Sequence, residues 1–324
     1  MRVLVTGASG FVGRALTREL AQPGVTVRAA ARERAAIPNA ANIEPATLPD
    51  LMHPVDWRPL LRDADAVVHL AGLAHAAGGV ADDSYDKVNR LATKSLALAA
   101  SLTPGLKRLI FVSSVRAQCG PSSDRVLTET DAPQPTDGYG RSKLAAETFV
   151  RSYGVPCTIL RPVVIYGPGV KANIASLARI AASPLPLPFA ALGNKRSLLA
   201  LANMISAIRF TLEQPATAGE TYLVADPTAV TLADMIGIMR RARGHRPGLF
   251  PLPAAWMAGV LKMAGRGHVW ERIGGTLVAD PSKLRAAGWA PPTDTPQALA
   301  ALAQAPRPQA ASPSKSGTAS RSTR

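Results

Sequence analysis

Two apolar rhythms alternate along the first half of this chain. Short continuous runs at Arg2–Val5, Val25–Ala29, Ile43–Leu48, Asp65–Gly72, Lys107–Ser113 and Val155–Arg161 have the length and β-branched content of buried strands. Between several of them, apolar residues recur at helical spacing. The pattern predicts helices at Phe11–Gln22, Asp56–Arg62 and Ser84–Leu102, and at a run headed by Tyr139. Asn89 interrupts the apolar face formed by Val88, Leu91, Leu96 and Leu98. A regular strand-helix alternation reads as an α/β fold. Beyond Pro168 the rhythm stops, and Pro184, Pro186, Pro188 and short helices replace it. The expected division is an α/β domain over 1–167 and a smaller second lobe over 168–304, with returns to the sheet near Glu220–Val224 and Leu277–Asp280. Residues 305–324 are Pro, Ser, Ala, Gln, Thr, Gly and basic residues, which cannot bury apolar area, so a disordered tail is expected there.

Chemistry enters at the first strand-helix junction, Thr6-Gly7-Ala8-Ser9-Gly10-Phe11-Val12-Gly13. Gly7 permits a tight turn, Gly10 lets backbone approach a bulky anion, and Gly13 lets the helix lie close to the sheet, so that a pyrophosphate rests on the helix N-terminus. The spacing is GxxGxxG rather than GxGxxG, and a tight turn without ligand would also use such glycines. After the second strand the chain offers Ala31-Arg32-Glu33-Arg34. A carboxylate at the strand end suits the ribose of NAD, whereas an Arg suits the 2′-phosphate of NADP. Arg32 therefore favours NADP, with Glu33 keeping NAD open. Leu70-Ala71-Gly72 closes the fourth strand with a ligand-sized gap, and His69 before it reads as a packed strand-end histidine.

The fifth strand ends in Ser113 and Ser114, and after a long proline-containing loop comes Tyr139-Gly140-Arg141-Ser142-Lys143. Residues four apart share a helix face. An ammonium beside a phenol favours the phenolate and lowers its pKa, and a tyrosine so tuned exchanges a proton with an alcohol or ketone. Chance alone also places Tyr and Lys at this spacing. The upstream serines and glycine turn give the pair its weight.

Composition narrows the classes. The chain has 324 residues, 47% of them hydrophobic, which is enough for an ordinary core. No signal peptide and no membrane-length apolar segment is evident, and Cys119 and Cys157 form no disulfide framework or metal-ligand spacing, so the expectation is a cytoplasmic protein without a metal. The formal net charge is +15, but the basic residues are scattered and not interleaved with aromatics, and four of them, Arg307, Lys315, Arg321 and Arg324, lie in the tail. Small polyanionic substrates fit that distribution better than nucleic acid.

Taken in order, TGASGFVG, HLAG, VNRLAT, the strand-ending Ser-Ser, YGRSK and LRPVVIYGPG resemble the extended short-chain dehydrogenase/reductases of the nucleotide-sugar epimerase/dehydratase group. The resemblance spans roughly residues 1 to 300. It implies a doubly wound parallel Rossmann sheet with a smaller mixed C-terminal lobe. By resemblance, Tyr139 is the catalytic acid/base, Lys143 tunes it and holds the nicotinamide ribose, and Ser114 bonds the reacting sugar oxygen. Gly7, Gly10, Phe11, Val12, Gly13, Arg32, Leu70, Ala71 and Gly72 join Tyr139 and Lys143 around the cofactor. The family's usual Tyr-Gly after the serines is here Ala117-Gln118-Cys119-Gly120, which leaves Ser113 as the alternative hydroxyl. Asn173, Arg196 and Arg272 look like contacts to a nucleotide diphosphate, and Leu187 and Phe189 either bracket the base or pack locally.

SSVRAQ, YGRSKLAAE and VKANIASL are similar to bacterial UDP-N-acetylhexosamine-type 4-epimerases and 4-ketoreductases of surface-polysaccharide synthesis. The resemblance implies a UDP-sugar substrate, hydride transfer at sugar carbon 4, and a homodimer through the helices at 84–102 and 139–153. Arg32 tilts the choice toward a reductase. A reductase of a hydrophobic ketone of steroid or flavonoid type, and a non-catalytic NADP-binding regulator, are the alternatives.

Overall fold

A computed structural model of the chain describes residues 1–74, 80–170, 172–263, 265, 270 and 274–305, without the side chains of 172, 173, 260 and 261. Seven parallel strands form the central sheet. They are β1 (Arg2–Thr6), β2 (Thr26–Ala31), β3 (Ile43–Thr47), β4 (Ala66–His69), β5 (Arg108–Val112), β6 (Cys157–Pro162) and, far along the chain, β10 (Thr221–Val224), in the order β10-β6-β5-β4-β1-β2-β3. The order reverses direction between β1 and β4, which is where such sheets open a crevice at their carboxyl ends. Helices cover both faces, so β4, β5, β6 and β10 are buried along their whole length and their sequences are near-continuous apolar runs.

One face packs Leu16 and Leu20 of α1 (Phe11–Leu20) and Met204, Ala207 and Ile208 of α7 (Leu201–Glu213) onto the sheet. The other packs α4 (Ala92–Ser101) and α5 (Gly138–Ser152) onto Leu4, Val67, Phe111 and Ile159. The expected helix at 56–62 is the single turn α2 (Arg58–Leu61). The expected helix at 84–102 is three pieces: α3 (Asp82–Tyr85), a π-turn over Asp86–Leu91, and α4. The wide turn carries Asn89, the residue that broke the apolar face, and buries it. Such π-insertions turn one side chain out of the helical rhythm.

Two short sheets lie beyond the central one: β7 (Val164–Tyr166) with β9 (Leu198–Ala200), and β8 (Lys195–Arg196) with β11 (Val230–Thr231). With α6 (Ala172–Ala181), α8 (Leu232–Arg241) and the helix Thr295–Gln304 they enclose a third apolar cluster around Tyr166, Ile236 and Met239. The expected return at 220–224 is strand β10. The one at 277–280 is not a strand of the central sheet: Leu277 bridges Arg196 and Ala279 bridges Leu127, because those segments offer the free backbone groups. Leu187 and Phe189 pack against the third cluster. Cys119 and Cys157 are free and buried, and no described helix is long and apolar enough to cross a membrane.

Candidate active site

At the carboxyl end of β1 the chain turns through Gly7, whose φ of +70° is a conformation that favours glycine. A Cβ there would sit 2.9 Å from the Ala71 nitrogen, and one on Gly13 would sit 2.2 Å from the Gly7 carbonyl oxygen. The glycines therefore let three backbone segments meet across the reversal point of the sheet. Gly10 is the N-cap of α1 and supplies no side chain to the free amides of the first turn, which carries no acid. That is a cradle for an anion. Phe11 and Val12 are half-buried at its rim, and Arg32, Glu33 and Arg34 are exposed just beyond β2.

The β4 end is pinned to this turn. Thr6 Oγ1 accepts from the Leu70 and Ala71 amides, both at 3.2 Å, and lies 2.8 Å from His69 Nδ1. The second ring nitrogen of His69 lies 3.1 Å from Thr93 Oγ1, and the ring stacks on Phe111. Burial, helped by the Lys143 charge, pushes His69 down to about 3, so the ring is neutral. No cluster of three or more metal-ligating His, Cys, Asp or Glu side chains occurs among the described residues. Asn89 fastens the following loop: its Oδ1 accepts from the Leu73 amide at 2.8 Å, and its Nδ2 donates to the Leu73 carbonyl and to Ser142 Oγ, both at 3.1 Å.

The end of β5 and the start of α5 bring the expected catalytic residues together. Ser114 opens a short 3-10 turn, Val115–Ala117, and its Oγ accepts from the Arg116 amide at 3.1 Å. Asp137 caps α5 by accepting from the Gly140 amide at 2.7 Å, which fixes the helix two residues before Tyr139. Ser114 hydrogen-bonds the Tyr139 phenol. Burial pushes that phenol above its ordinary value of 10.0, while the Ser114 bond opposes the rise. The expectation that Lys143 brings the phenol pKa down is not met here, since desolvation dominates. Lys143 Nζ donates to the Val112 carbonyl at 3.0 Å and lies 4.9 Å from the centre of the Phe111 ring. Burial lowers this ammonium to about 8, with Glu147 one turn on opposing the shift.

Ser113 points elsewhere. Its hydroxyl donates to Glu147 Oε1 at 2.6 Å, inside a buried network in which Arg161 donates to both Glu147 oxygens at 3.0 and 2.6 Å and to Gln118 Oε1 at 3.0 Å. Neither the Glu147–Arg161 pair nor Asp137 nor Arg116 is among the expected site residues. The spacing of Glu147 four beyond Lys143, and an Asp just ahead of a helix start, were the available signals.

Of the expected diphosphate contacts, Arg196 ends β8, where its neighbour Ser197 donates its amide to the Leu277 carbonyl at 2.8 Å. Burial, and secondarily the charge of Arg116, lowers the Arg196 pKa. Its Nε and Nη2 are buried without a hydrogen-bond partner among the described residues. Asn173 lies on α6, with its side chain outside the described residues, as are Arg272 and residues 306–324 of the tail.

Residues 3–225 match the model of the NAD dependent epimerase/dehydratase family. The UDP-glucose 4-epimerase of Vibrio cholerae is 32% identical over 320 residues, 94% of either chain. The N-acetyl-alpha-D-glucosaminyl-diphospho-ditrans,octacis-undecaprenol 4-epimerase of Escherichia coli O157:H7 is 26% identical over 92% of either chain. Among solved structures, MoeE5 in complex with UDP-glucuronic acid and NAD shares the fold at a TM-score of 0.74 and 24% identity, over 94% of this chain and 98% of that one.

Proposed function

The chain belongs to the NAD dependent epimerase/dehydratase family, and from that premise we propose that it is a nucleotide-sugar 4-epimerase or 4-ketoreductase acting on a UDP-hexose or UDP-N-acetylhexosamine. The observation that carries the reading is the Ser114–Tyr139 hydrogen bond beside a buried lysine, at the same sheet edge as a glycine-lined helix N-terminus.

The cradle fits a nicotinamide dinucleotide: the bare glycines at 7 and 13 let β4 and α1 close tightly on the turn, where an added Cβ would strike backbone, and the first α1 turn has no side-chain cap, so its amides can face phosphate. Gly7, Gly10, Phe11, Val12 and Gly13 would hold the diphosphate side, Leu70, Ala71 and Gly72 the β4 side, and Lys143 the ribose. When bound, the nicotinamide accepts or supplies the hydride at sugar carbon 4. Tyr139, uncharged at neutral pH in this structure, is set to give a proton to the oxygen of a 4-keto sugar and to take it back in the reverse direction. Ser114 donates to the same oxygen. The engagement of Ser113 with Glu147 supports Ser114 as the working hydroxyl. Lys143 places a positive charge beside the end of β5, which favours developing negative charge on the phenol.

Arg32 beyond β2 supports the 2′-phosphate of NADP, whereas the MoeE5 complex holds NAD. Arg196, with Asn173 and Arg272, is the proposed diphosphate clamp. Exposed Leu91 and Leu98 lie on the helical segment proposed for the homodimer contact. The test is incubation of the purified protein with UDP-glucose and with UDP-N-acetylglucosamine without added cofactor, followed by separation of the 4-epimers. Interconversion supports an epimerase with retained cofactor. Turnover of a 4-keto sugar only with added NADPH identifies a ketoreductase, and activity with neither overturns the reading.

A further inference from the structure

Two long stretches of this chain carry no acid: no Asp or Glu stands between Glu147 and Glu213, or between Asp234 and Glu271. The second stretch holds the helix α9 (Ala254–Met263), whose sequence AAWMAGVLKM has Lys262 as its one charged residue. A helix apolar on every side is normally buried in a core. This one is not. Met257 is buried and Ala258 half-buried, whereas Trp256 is 71% and Met263 84% exposed, and those two, seven residues apart, share a helix face. At ten residues α9 is about 15 Å long, roughly half of what a bilayer crossing needs.

The apolar surface continues into neighbouring chain. The buried Arg240 side chain donates to the carbonyls of Ala181, Ser183 and Leu185 on one segment and of Pro247 and Gly248 on another, at 2.6 to 3.3 Å. Backbone bonds from the Leu187 amide to the Gly248 carbonyl and from the Phe250 amide to the Leu187 carbonyl, each at 3.0 Å, hold the same two segments side by side. Ile180, Leu185 and Phe250, all exposed, therefore stand on adjoining segments, and the second runs directly into α9. Phe250 and Trp256 are the only exposed aromatic side chains among the described residues. Arg179, Arg241, Arg246 and Lys262 are exposed in the same segments, and no acid in them offsets the charge.

A membrane surface rewards this combination. Trp and Phe settle at headgroup depth, Leu, Ile and Met reach the acyl boundary, and each Lys or Arg beside anionic headgroups is worth about fivefold in affinity. A second copy of the face would instead bring the same uncompensated cations together, which disfavours self-association. We propose that α9 and the adjoining 180–185 and 246–250 segments are a docking surface for an anionic lipid bilayer, resting on one leaflet without crossing it. The inference uses none of the residues placed in the active site and stands apart from the nucleotide-sugar reading.

The experiment mixes the purified full-length protein with sedimentable vesicles of phosphatidylcholine, alone or mixed with phosphatidylglycerol. The wild type is expected to bind the anionic vesicles at least about tenfold more tightly than the neutral ones, with tryptophan emission moving to shorter wavelength as Trp256 leaves water. Trp256→Ser/Met263→Ser keeps every charge and is expected to weaken that binding at least about tenfold. Arg246→Glu/Lys262→Glu keeps the apolar residues and weakens it to a similar extent. Thermal melting checks that both variants fold, and all four positions are exposed. A wild type that stays in the supernatant would overturn the proposal; if it self-associates and Trp256→Ser/Met263→Ser abolishes that, the face is a contact between copies. An unchanged Trp256→Ser/Met263→Ser variant would overturn it too, by assigning the binding to charge alone, including that of Arg307, Lys315, Arg321 and Arg324. Turnover of a soluble UDP-sugar is read separately, so failure here leaves the proposed function standing.

Discussion

Replacing Arg161 with methionine isolates the buried network behind the serines. Methionine fills most of the volume of the arginine stem but removes three donors, two to Glu147 and one to Gln118. The Glu147 carboxylate is then left inside the protein with the Ser113 hydroxyl at 2.6 Å as its remaining side-chain donor among the described residues. The two side chains are only 5% and 3% exposed, so solvent screening offers little relief. Stranding one member of a buried ion pair costs about 3–5 kcal/mol. That is a fifth or more of the stability of a typical domain, about 5–15 kcal/mol. Urea unfolding followed by tryptophan fluorescence, with Trp57 and Trp289 buried as reporters, measures the loss. The double variant Glu147→Leu/Arg161→Met removes both charges and is expected to recover most of it. A single-variant loss below about 1 kcal/mol, or a double variant no more stable than the single, would refute the view that the pair is a desolvated unit.

Two further outcomes concern the crevice. Gly13→Ala forces a Cβ to within 2.2 Å of the Gly7 carbonyl oxygen, so α1 must back away from the turn; the expected result is a stability loss of about 1–3 kcal/mol and a dinucleotide affinity at least about tenfold weaker by NADH fluorescence titration. Lys143 loses its proton as pH rises through about 8, so turnover that needs the ammonium falls above that pH, and the substitution Lys143→Met abolishes the alkaline limb of the rate profile. Stability moves the other way. Because the folded pKa lies below the ordinary 10.5, the unfolded chain holds the proton more firmly, and this group's contribution to stability rises from about pH 8 to 10.5.

The strands were legible because burial on both faces demands continuous apolar runs, and six such runs became β1 to β6 with ends within three residues of expectation. The glycine turn was legible because only a backbone without Cβ lets Gly7, Gly13 and Ala71 come together. Where the chain departs from periodicity it hid its purpose. The π-turn at Asp86–Leu91 shares Val88 and Leu91 with an ordinary helical pattern, so Asn89 reads only as an interruption although it bonds Leu73 on both sides. Leu277 and Ala279 read as a strand because they are apolar and extended, yet pairing is decided by which edges are free, a property of the assembled sheet. Arg116 looks like an ordinary loop charge in sequence, and Arg196 stands out only by family resemblance. Only three dimensions show their buried nitrogens without partners among the described residues. The direction of the Tyr139 shift was misjudged for a related reason: spacing places a cation nearby, but desolvation depends on everything packed around the ring.

The measurement that bears most directly on the mechanism is Tyr139→Phe. Phenylalanine keeps the ring and its contact with Tyr85 while deleting the hydroxyl. The variant is expected to bind the dinucleotide and the UDP-sugar as the wild type does, by mass spectrometry of the native protein, and to turn over at least about a hundredfold more slowly, the usual worth of a positioned acid/base. Retention of more than about a tenth of wild-type turnover would show that another group moves the proton and would contradict the account.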